Sequence, residues 1–234
     1  MNPYLIPMLG EDTFILDQYR NLCTKIIWSS ASSDKKCILI TSSVSSEGKS
    51  LTSLNLAISI AERKKEQVIV IDGDLRHPSL HKFLDIQPEY GLVSYFQNEA
   101  DYFSKENDLL GRIVYPSGIS NVSLIPAEKC VSNPTEILTS EKIADLLKEL
   151  KHRYRNSYII VDSPPVVPIS DAIILSHYVD WVIFLVKVGG PPREVVQKAV
   201  NLIEYKKILG VILNNVDLVS YEYPYGYKSY HYKY

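Results

Sequence analysis

The chain has 234 residues, of which 46% are hydrophobic and 22% charged, and its formal net charge is −2. That length suits one α/β domain with a full hydrophobic core. Lysine and arginine form no basic cluster, so no nucleic-acid partner is expected. The longest apolar run, 179–188, is too short to span a bilayer, and the N-terminus lacks a signal-peptide pattern. Together with three cysteines that lack metal-binding spacing, these features favour a cytoplasmic protein with reduced thiols.

Apolar runs rich in β-branched residues alternate with helical patterns, which is typical of an α/β fold with a doubly wound, mostly parallel sheet flanked by helices. The predicted strands are 38–41, 68–71, 122–125, 158–161, 181–188 and 208–213. Helices are predicted over 12–29 with Asp12 as N-cap, from 48, 80, 90 and 133 onward, through 143–150, over 171–177 and from 192 onward. A linker is predicted over 29–36 and a loop over 98–121. Since ligands of such sheets bind at the carboxyl ends of strands, residues just after each strand are the site candidates.

The first predicted strand leads through a polar loop into a helix, within residues 38–52. Gly48, Lys49 and Ser50 stand where this helix opens, and the unpaired N–H groups of a helix start attract anions. A glycine there lets the backbone approach a phosphate, a lysine adds positive charge, and a hydroxyl suits Mg²⁺. Ser43 replaces the first glycine of the pattern G-x-x-x-x-G-K-[ST], so this stretch alone is also compatible with a serine-rich turn.

Two further strand ends carry carboxylates. Asp72, Asp74 and Arg76 follow the second strand as D-x-D-x-R, and Asp162 precedes two prolines at the end of a later strand. Mg²⁺ prefers one or two carboxylates or hydroxyls with phosphate oxygens and water, and Ser50 with Asp162 would supply that set. Asp72 or Asp74 is then available to accept or orient a hydroxyl proton. Each aspartate alone is also explained as a turn cap, but three such strand ends together favour phosphoryl transfer.

The stretches 43–50, 68–76 and 158–165 resemble the Walker A, Walker A′ and Walker B motifs of the bacterial tyrosine kinases, which are P-loop proteins of the deviant-Walker class. The resemblance covers most of the chain and implies ATP and Mg²⁺ as cofactors. The catalytic residues that it implies are Lys49, Asp72, Asp74 and Asp162, and the residues near the metal are Ser50, Asp72 and Asp162. It leaves open whether Asp72 or Asp74 is the base. The nucleotide-binding residues expected here are Ser45, Ser46, Glu47, Gly48, Lys49, Ser50, Leu51, Arg76 and Asn214. Asn214 is placed near the adenine by analogy with the base-reading loops that follow a final strand in P-loop folds.

The end of the chain is dense in tyrosine. Residues 221–234 contain no leucine, isoleucine or valine, so a flexible tail over 217–234 is expected after a kinase domain over 1–216. Within that domain, 1–36 are expected to form the N-terminal helix and linker. A disordered tail without function is the alternative. Because the kinases that this chain resembles carry tyrosine clusters at the same end, the resemblance implies phosphoacceptors at Tyr221, Tyr223, Tyr225, Tyr227, Tyr230, Tyr232 and Tyr234.

The resemblance also implies a homo-oligomer in which the tail of one subunit enters the site of another. The family's oligomerisation pattern, E-x-x-R-x-x-R, reads Asp17, Arg20 and Cys23 here, so contacts are expected from Asp17 and Arg20 while one arginine is lost. Two other positions differ from the family, since Ser45 and Glu128 stand where proline and glycine are frequent.

The partners that the resemblance implies are a separate transmembrane activator of the polysaccharide chain-length-determinant type and a tyrosine phosphatase. The activator would recruit the chain to the inner face of the membrane, and the process served would be capsule or exopolysaccharide production. Two alternatives remain from the sequence. One is a partition- or positioning-type P-loop ATPase, and the other is a nucleotide-dependent docking component with little kinase activity.

Overall fold

The computed structural model describes residues 13–30, 36–97, 108–139 and 141–216, together with Pro3 and Leu5. These residues form one seven-stranded sheet with helices on both faces. The strands are β1 (Cys37–Ser42), β2 (Val68–Asp72), β3 (Tyr115–Pro116), β4 (Val122–Ile125), β5 (Tyr158–Asp162), β6 (Trp181–Lys187) and β7 (Ile208–Asn214). The helices are α1 (Thr13–Ser30), α2 (Lys49–Lys64), α3 (Leu80–Leu84), α4 (Leu92–Gln97), α5 (Leu109–Ile113), α6 (Pro134–Leu138), α7 (Lys142–Arg153), α8 (Asp171–Tyr178) and α9 (Arg193–Asn201), with a 3-10 turn at Tyr205–Lys207.

The strand order is β3-β4-β2-β5-β1-β6-β7, and all neighbouring pairs are parallel except β3 with β4. Strands β1, β2 and β5 lie in the middle of the sheet, and every one of their residues is buried. Burial on both faces explains why these strands read as uninterrupted apolar runs rather than as alternating patterns. The predicted doubly wound, mostly parallel sheet is confirmed.

Two apolar clusters cover the two faces of the sheet. On one face, Ile26 of α1 and Leu54 and Ile58 of α2 pack against the inward side chains of the strands. On the other face, Leu146 of α7 and Leu175 of α8 belong to the second cluster. Each helix presents its apolar residues at helical spacing to the sheet, so both layers derive from the same amphipathic patterns.

The prediction of a loop over 98–121 is wrong for the part that the structure describes. Helix α5 forms there because Asp108 accepts a hydrogen bond from the Gly111 N–H and so caps its first turn. Strand β3 follows, with Tyr115 opposite Leu124 of β4 in antiparallel register. Both elements are too short to show a periodic pattern, so they could not be predicted from periodicity.

Helix α1 continues to Ser30, one residue beyond the predicted end. Three expectations lie outside the described residues, namely the Asp12 N-cap, the linker over 31–35 and the tail over 217–234. Among the helices that the structure describes, none combines the length and the apolar character that a membrane span requires.

Candidate active site

The carboxyl ends of three adjacent strands meet at one edge of the sheet. Strand β5 lies between β2 and β1, and its register places Asp162 beside Asp72 on one side and beside Ile40 on the other. The loop that follows β1 therefore ends next to the two aspartates, as the sequence predicts. The neighbourhood of these groups follows directly from the parallel pairing of their strands.

The loop over 43–50 curls so that helix α2 begins at its end. Ser46 and Gly48 both adopt positive φ angles, 62° and 95°, which turn the chain back toward the helix start. Lys49 is the first helical residue, is 8% exposed, and donates from Nζ to the Ser42 Oγ at 3.2 Å. Burial lowers the pKa of Lys49, whereas the charges of Asp162, Asp74 and Glu47 oppose that shift. The lysine charge is thus held beside a helix N-terminus, which is a site suited to phosphate.

Ser50 lies at the centre of a chain of hydroxyl and carboxylate groups. Its Oγ donates to the Asp162 Oδ2 at 2.6 Å and accepts from the Ser79 Oγ at 3.1 Å. Ser53, one turn further along α2, donates to the other Asp162 oxygen at 3.0 Å. Burial raises the pKa of Asp162 to about 6, although the hydrogen bond from Ser50 and the charge of Lys49 favour its ionised form.

Asp72 is completely buried, and its two oxygens have different surroundings. Oδ2 accepts from the backbone N–H groups of Ser79 and Leu80, each at 3.0 Å, whereas Oδ1 has no hydrogen-bond partner among the described residues. Burial raises the pKa of Asp72 to about 8, and the neighbouring charge of Asp162 adds to the shift. A buried carboxylate oxygen without a donor is the environment that a nearby cation or its bound water would satisfy.

The donor set around Asp72 fits Mg²⁺ bound together with a nucleotide. The described residues contain no group of three or more His, Cys, Asp or Glu side chains arranged to hold a metal by themselves. Mg²⁺ in nucleotide sites needs only one or two protein oxygens, because phosphates and water supply the remaining ligands. Ser50, Asp72 and Asp162 offer hydroxyl and carboxylate oxygens of that kind. They lie at the end of the loop over 43–50, which is called the phosphate loop below.

Asp74 and Arg76 shape the loop that follows β2. One Asp74 oxygen accepts from the N–H groups of Arg76 at 3.2 Å and His77 at 2.9 Å, which fixes a tight turn. The Arg76 guanidinium is directed to Asp171, with Nε at 2.7 Å from Oδ2, and this pairing raises the pKa of Arg76. Thr135 adds a hydrogen bond of 2.9 Å to the same carboxylate. Arg76 was predicted to contact nucleotide, but in this structure its charge serves to hold the loop.

Sequence reasoning did not assign site roles to Asp171 and Thr135. They lie 95 and 59 residues from Arg76, on the N-terminal turns of α8 and α6, so no local pattern connects them to it. A buried aspartate that begins a helix is usually explained as a cap. Only the three-dimensional packing of α6 and α8 beside β2 makes the ion pair visible.

The remaining predicted nucleotide-binding residues occupy distinct positions. Ser45 and Ser46 are exposed at the tip of the loop, and Leu51 is half-buried in the first turn of α2. Glu47 is 1% exposed, and its Oε2 accepts from the Val44 N–H at 2.8 Å. Asn214, at the end of β7, reaches the same loop. All of these residues therefore lie in or against the phosphate loop.

Two departures from the family pattern have a structural explanation. Cys23 is fully buried and donates to the Ser59 carbonyl at 3.6 Å, so this face of α1 packs on α2, while Asp17 and Arg20 form an exposed ion pair at 3.1 Å. Glu128 has a φ of 79°, a conformation that glycine adopts most easily.

The Glu128 carboxylate offsets its backbone strain. It accepts hydrogen bonds from both the backbone N–H and the hydroxyl of Ser94 in the first turn of α4. Those contacts cap the helix from a distant part of the chain and favour a negative charge at its positive end. Glutamate in this position therefore has a structural role that glycine lacks.

No protein-family model matches the chain. Tyrosine-protein kinase YwqD of Bacillus subtilis is 29% identical over 229 residues, which cover 97% of this chain and 92% of that protein. Tyrosine-protein kinase CpsD of Streptococcus pneumoniae serotype 4 is 32% identical over 206 residues, which cover 86% and 85% of the two chains. Among solved structures, the chimerical protein CapA2B2 superposes with a TM-score of 0.79 at 27% identity, covering 92% of this chain and 91% of its own.

More distant structures share the fold alone. The septum site-determining protein MinD of Pyrococcus horikoshii, solved with Mg-ADP, has a TM-score of 0.58 at 20% identity and covers 76% of this chain and 70% of its own. Sheet order, phosphate loop and aspartate-bearing strand ends define a P-loop protein of the deviant-Walker class. Within that class, the chain belongs to the bacterial tyrosine-protein kinase family, as the resemblance predicted. Its enzyme class is accordingly protein-tyrosine kinase.

Proposed function

We propose that the chain transfers the γ-phosphoryl group of ATP to tyrosine hydroxyls, mainly those of its own C-terminal cluster in a neighbouring subunit. The observation that carries this proposal is that the buried carboxylates Asp72 and Asp162 lie with the Ser50 hydroxyl beside Lys49 at the start of α2. A turn cap has no need of two buried carboxylates, one of them with an oxygen that receives no donor from the described part of the chain. A site that takes a cation and phosphates needs both.

The proposed roles follow from position. Lys49 and the N–H groups at the start of α2 bind the phosphates, while Ser50, Asp72 and Asp162 hold Mg²⁺. When bound, Mg²⁺ neutralises charge on the phosphate oxygens. Catalysis consists of positioning and electrostatic stabilisation by these groups, without a covalent enzyme intermediate.

The position of the two A′ aspartates supports different roles for them. Asp72 is fully buried beneath Ser79 and Leu80, whereas Asp74 is half-buried in the following turn. An incoming tyrosine reaches Asp74 without disturbing the core. In the proposed reaction, Asp74 accepts the phenolic proton as the new O–P bond forms, and the bond between the γ-phosphorus and the bridging oxygen breaks to release ADP.

The tail is the proposed substrate because it combines reach with a high density of acceptors. Residues 217–234 follow directly on Val216, just beyond β7 at the carboxyl edge of the sheet where the site lies. Each phosphate adds about −1.5 to −2 charges. Several of them on one tail repel both each other and the aspartates of the receiving site. Phosphorylation is therefore proposed to release the tail and loosen the oligomer.

The wider context is also a proposal. We propose that a separate transmembrane activator of the chain-length-determinant type recruits the chain to the membrane, and that the cycle regulates capsule or exopolysaccharide production. A tyrosine phosphatase would return the tail to its unmodified state. The structural neighbour CapA2B2 is a chimerical protein, which is in keeping with a kinase chain that works together with a second component.

A mixing experiment tests both the kinase activity and whether the phosphoryl group is transferred from the site of one subunit to the tail of another. The Lys49→Met chain keeps its tail but lacks the phosphate-binding charge. A chain that ends at Ser220 keeps the phosphate-binding loop over 43–50 but lacks the tyrosine cluster. With Mg-ATP, neither should become tyrosine-phosphorylated alone, whereas the mixture should show phosphotyrosine on the Lys49→Met chain. Mass spectrometry then identifies the modified tyrosines.

Each other outcome contradicts a definite part of the proposal. Phosphotyrosine on wild type but none in the mixture would refute transfer between subunits. ATP hydrolysis by wild type without phosphotyrosine would favour the positioning-type ATPase. Nucleotide binding without either reaction, in the presence of membranes that contain the activator, would favour the docking component.

A further inference from the structure

Glu47 places a carboxylate in the loop over 43–50, where anions are proposed to bind. Its side chain is nevertheless buried, with 1% exposure, and both of its oxygens are engaged. Oε2 accepts from the Val44 N–H at 2.8 Å, and Oε1 accepts from the Lys187 N–H at 2.9 Å. Both carboxylate oxygens are therefore occupied by backbone donors of the protein itself, and such charge-assisted hydrogen bonds hold the side chain in one position.

These two bonds connect parts of the chain that are far apart in sequence. Val44 belongs to the phosphate loop, whereas Lys187 is the last residue of β6. The carboxylate therefore connects the loop that follows β1 to the end of β6, which neighbours β1 on the side opposite β5. The same strand end leads into a turn in which the Gly190 N–H bonds the Lys187 carbonyl at 3.0 Å, so the anchor itself is ordered.

A second contact comes from the end of β7. The Asn214 Nδ2 donates to the Glu47 carbonyl at 2.8 Å, and the Asn214 carbonyl accepts from the Val188 N–H at 2.9 Å. Glu47 is thus held through its side chain by β6 and through its backbone by β7. Asn214 was predicted to lie near the adenine, but its amide is used on the loop.

The approach of Asn214 explains the glycine that follows Glu47. A Cβ on Gly48 would lie 2.1 Å from the Asn214 Nδ2, and the φ of Gly48 is 95°. Only a residue without a side chain fits between the loop and β7 in this conformation. The glycine, the amide and the carboxylate therefore belong to one arrangement.

We propose that Glu47 and Asn214 are positioning residues which together clasp the phosphate loop to the ends of β6 and β7 and so hold it in the shape that binds the ATP phosphates. This inference rests on the proposed function in one respect, namely that the loop over 43–50 binds nucleotide. It assigns to Glu47 a role through the loop backbone, and neither residue needs to touch the phosphates.

The test measures binding of a fluorescent ADP analogue with Mg²⁺ to four chains: wild type, Glu47→Gln, Asn214→Ala and the double variant. Glutamine keeps one acceptor oxygen, so one buried N–H loses its partner, and a loss of roughly tenfold in affinity is expected. Asn214→Ala should weaken binding by a similar factor. Because both act through one clasp, the double variant should bind about as weakly as the weaker single variant.

The matched control is Glu62→Gln, which makes the same chemical change on an exposed position of α2 and should bind like wild type. Unfolding temperatures and the kinetics of tail phosphorylation complete the test. The clasp predicts a raised KM for ATP with kcat nearly unchanged in Asn214→Ala, together with an intact cooperative unfolding transition. Unfolding of Glu47→Gln at the assay temperature would leave Asn214→Ala as the deciding variant.

Three results would overturn the clasp. These are wild-type affinity in Asn214→Ala and in a folded Glu47→Gln, strictly additive losses in the double variant, or an equal loss in Glu62→Gln. The proposed nucleotide function fails in a different way. If wild type and Lys49→Met bind the analogue equally, the loop is not a phosphate site, whatever Glu47 and Asn214 do.

Discussion

Replacing Asp72 by asparagine should stabilise the nucleotide-free protein while it abolishes kinase activity. Asparagine has nearly the shape of a protonated aspartate, and its oxygen can still accept from the N–H groups of Ser79 and Leu80. The substitution therefore leaves the turn intact and removes a carboxyl group that ionises in the unfolded chain but that burial disfavours in its charged form. Loss of activity follows because Asp72 is one of the oxygens proposed to hold Mg²⁺.

The size of the effect follows from the pKa of Asp72, which burial and the charge of Asp162 raise from 3.8 to about 8 in the folded protein. Below pH 3.8 the carboxyl is protonated in both states and contributes nothing. As pH rises from there to about 8, the unfolded chain loses the proton that the folded chain retains, so stability falls through that window. At ~1.36 kcal/mol per pH unit, the loss by pH 7 has a ceiling of about 4 kcal/mol.

The assay is thermal unfolding of wild type and Asp72→Asn without nucleotide at pH 6 and pH 8. The variant should unfold at a higher temperature, and the gap should widen with pH, since ~1 kcal/mol shifts the midpoint by roughly 2–4 °C in a chain of this size. Asp74→Asn is the matched control, because Asp74 is half-buried and its turn also tolerates an amide oxygen. A gap that stays constant with pH, or a variant less stable than wild type at pH 8, would refute the reasoning.

Three further substitutions or treatments have definite expected outcomes. Gly48→Ala should weaken binding of the ADP analogue by at least tenfold, since its methyl group would meet a side-chain nitrogen at 2.1 Å; unchanged affinity would mean that the loop relaxes freely. Asp171→Asn should lower kcat for tail phosphorylation more than it raises the KM for ATP, because it loosens Arg76 and the turn that holds the proposed base. A thiol reagent should label the exposed Cys130 quickly and leave Cys37 unmodified, since burial raises the pKa of Cys37 to about 12. Mass spectrometry of the native protein checks this, and rapid labelling of Cys37 would show that the first residue of the central strand β1 becomes accessible in the folded protein.

The part of the site that the sequence predicts is the part that strand pairing creates. Parallel strands between two helical layers are apolar on both faces, so β1, β2 and β5 are visible as continuous runs. The polar residues that end those runs must then lie at one edge. The meeting of Lys49, Ser50, Asp72 and Asp162 could be predicted for that reason, without any knowledge of side-chain contacts.

The rest depends on contacts between residues far apart in the chain, which no periodicity encodes. Arg76 could be placed in the loop after β2, but its partner Asp171 comes from a helix that packs against that loop only in the folded protein. The same holds for Glu47, whose carboxylate accepts a hydrogen bond from the backbone N–H of Lys187, 140 residues further along the chain. Both residues were predicted to bind nucleotide, which stays a prediction, and the hydrogen bonds that hold their loops could not be foreseen from the sequence.

The consequence of Glu128 could not be predicted from the sequence, which shows only that it stands where glycine is frequent in the family. A positive φ is unfavourable for a residue with a side chain. The hydrogen bonds from Ser94 oppose that cost, since they add a helix cap that glycine cannot provide. Whether a departure from a family pattern damages or stabilises a loop therefore depends on which donors the fold brings to the new side chain.

The charges of the site share one feature that connects stability to binding. Burial lowers the pKa of Lys49 and raises those of Asp72 and Asp162, so for all three the folded protein disfavours the charged form. Phosphates favour the charged lysine, and a divalent cation favours the ionised carboxylates. Because the fold has already removed these groups from water, ligands that supply the missing opposite charges interact with them in a low-dielectric setting, where the attraction is strong. The same burial through which Asp72 is expected to cost more stability at pH 8 than at pH 6 therefore strengthens the proposed binding of Mg²⁺ and ATP.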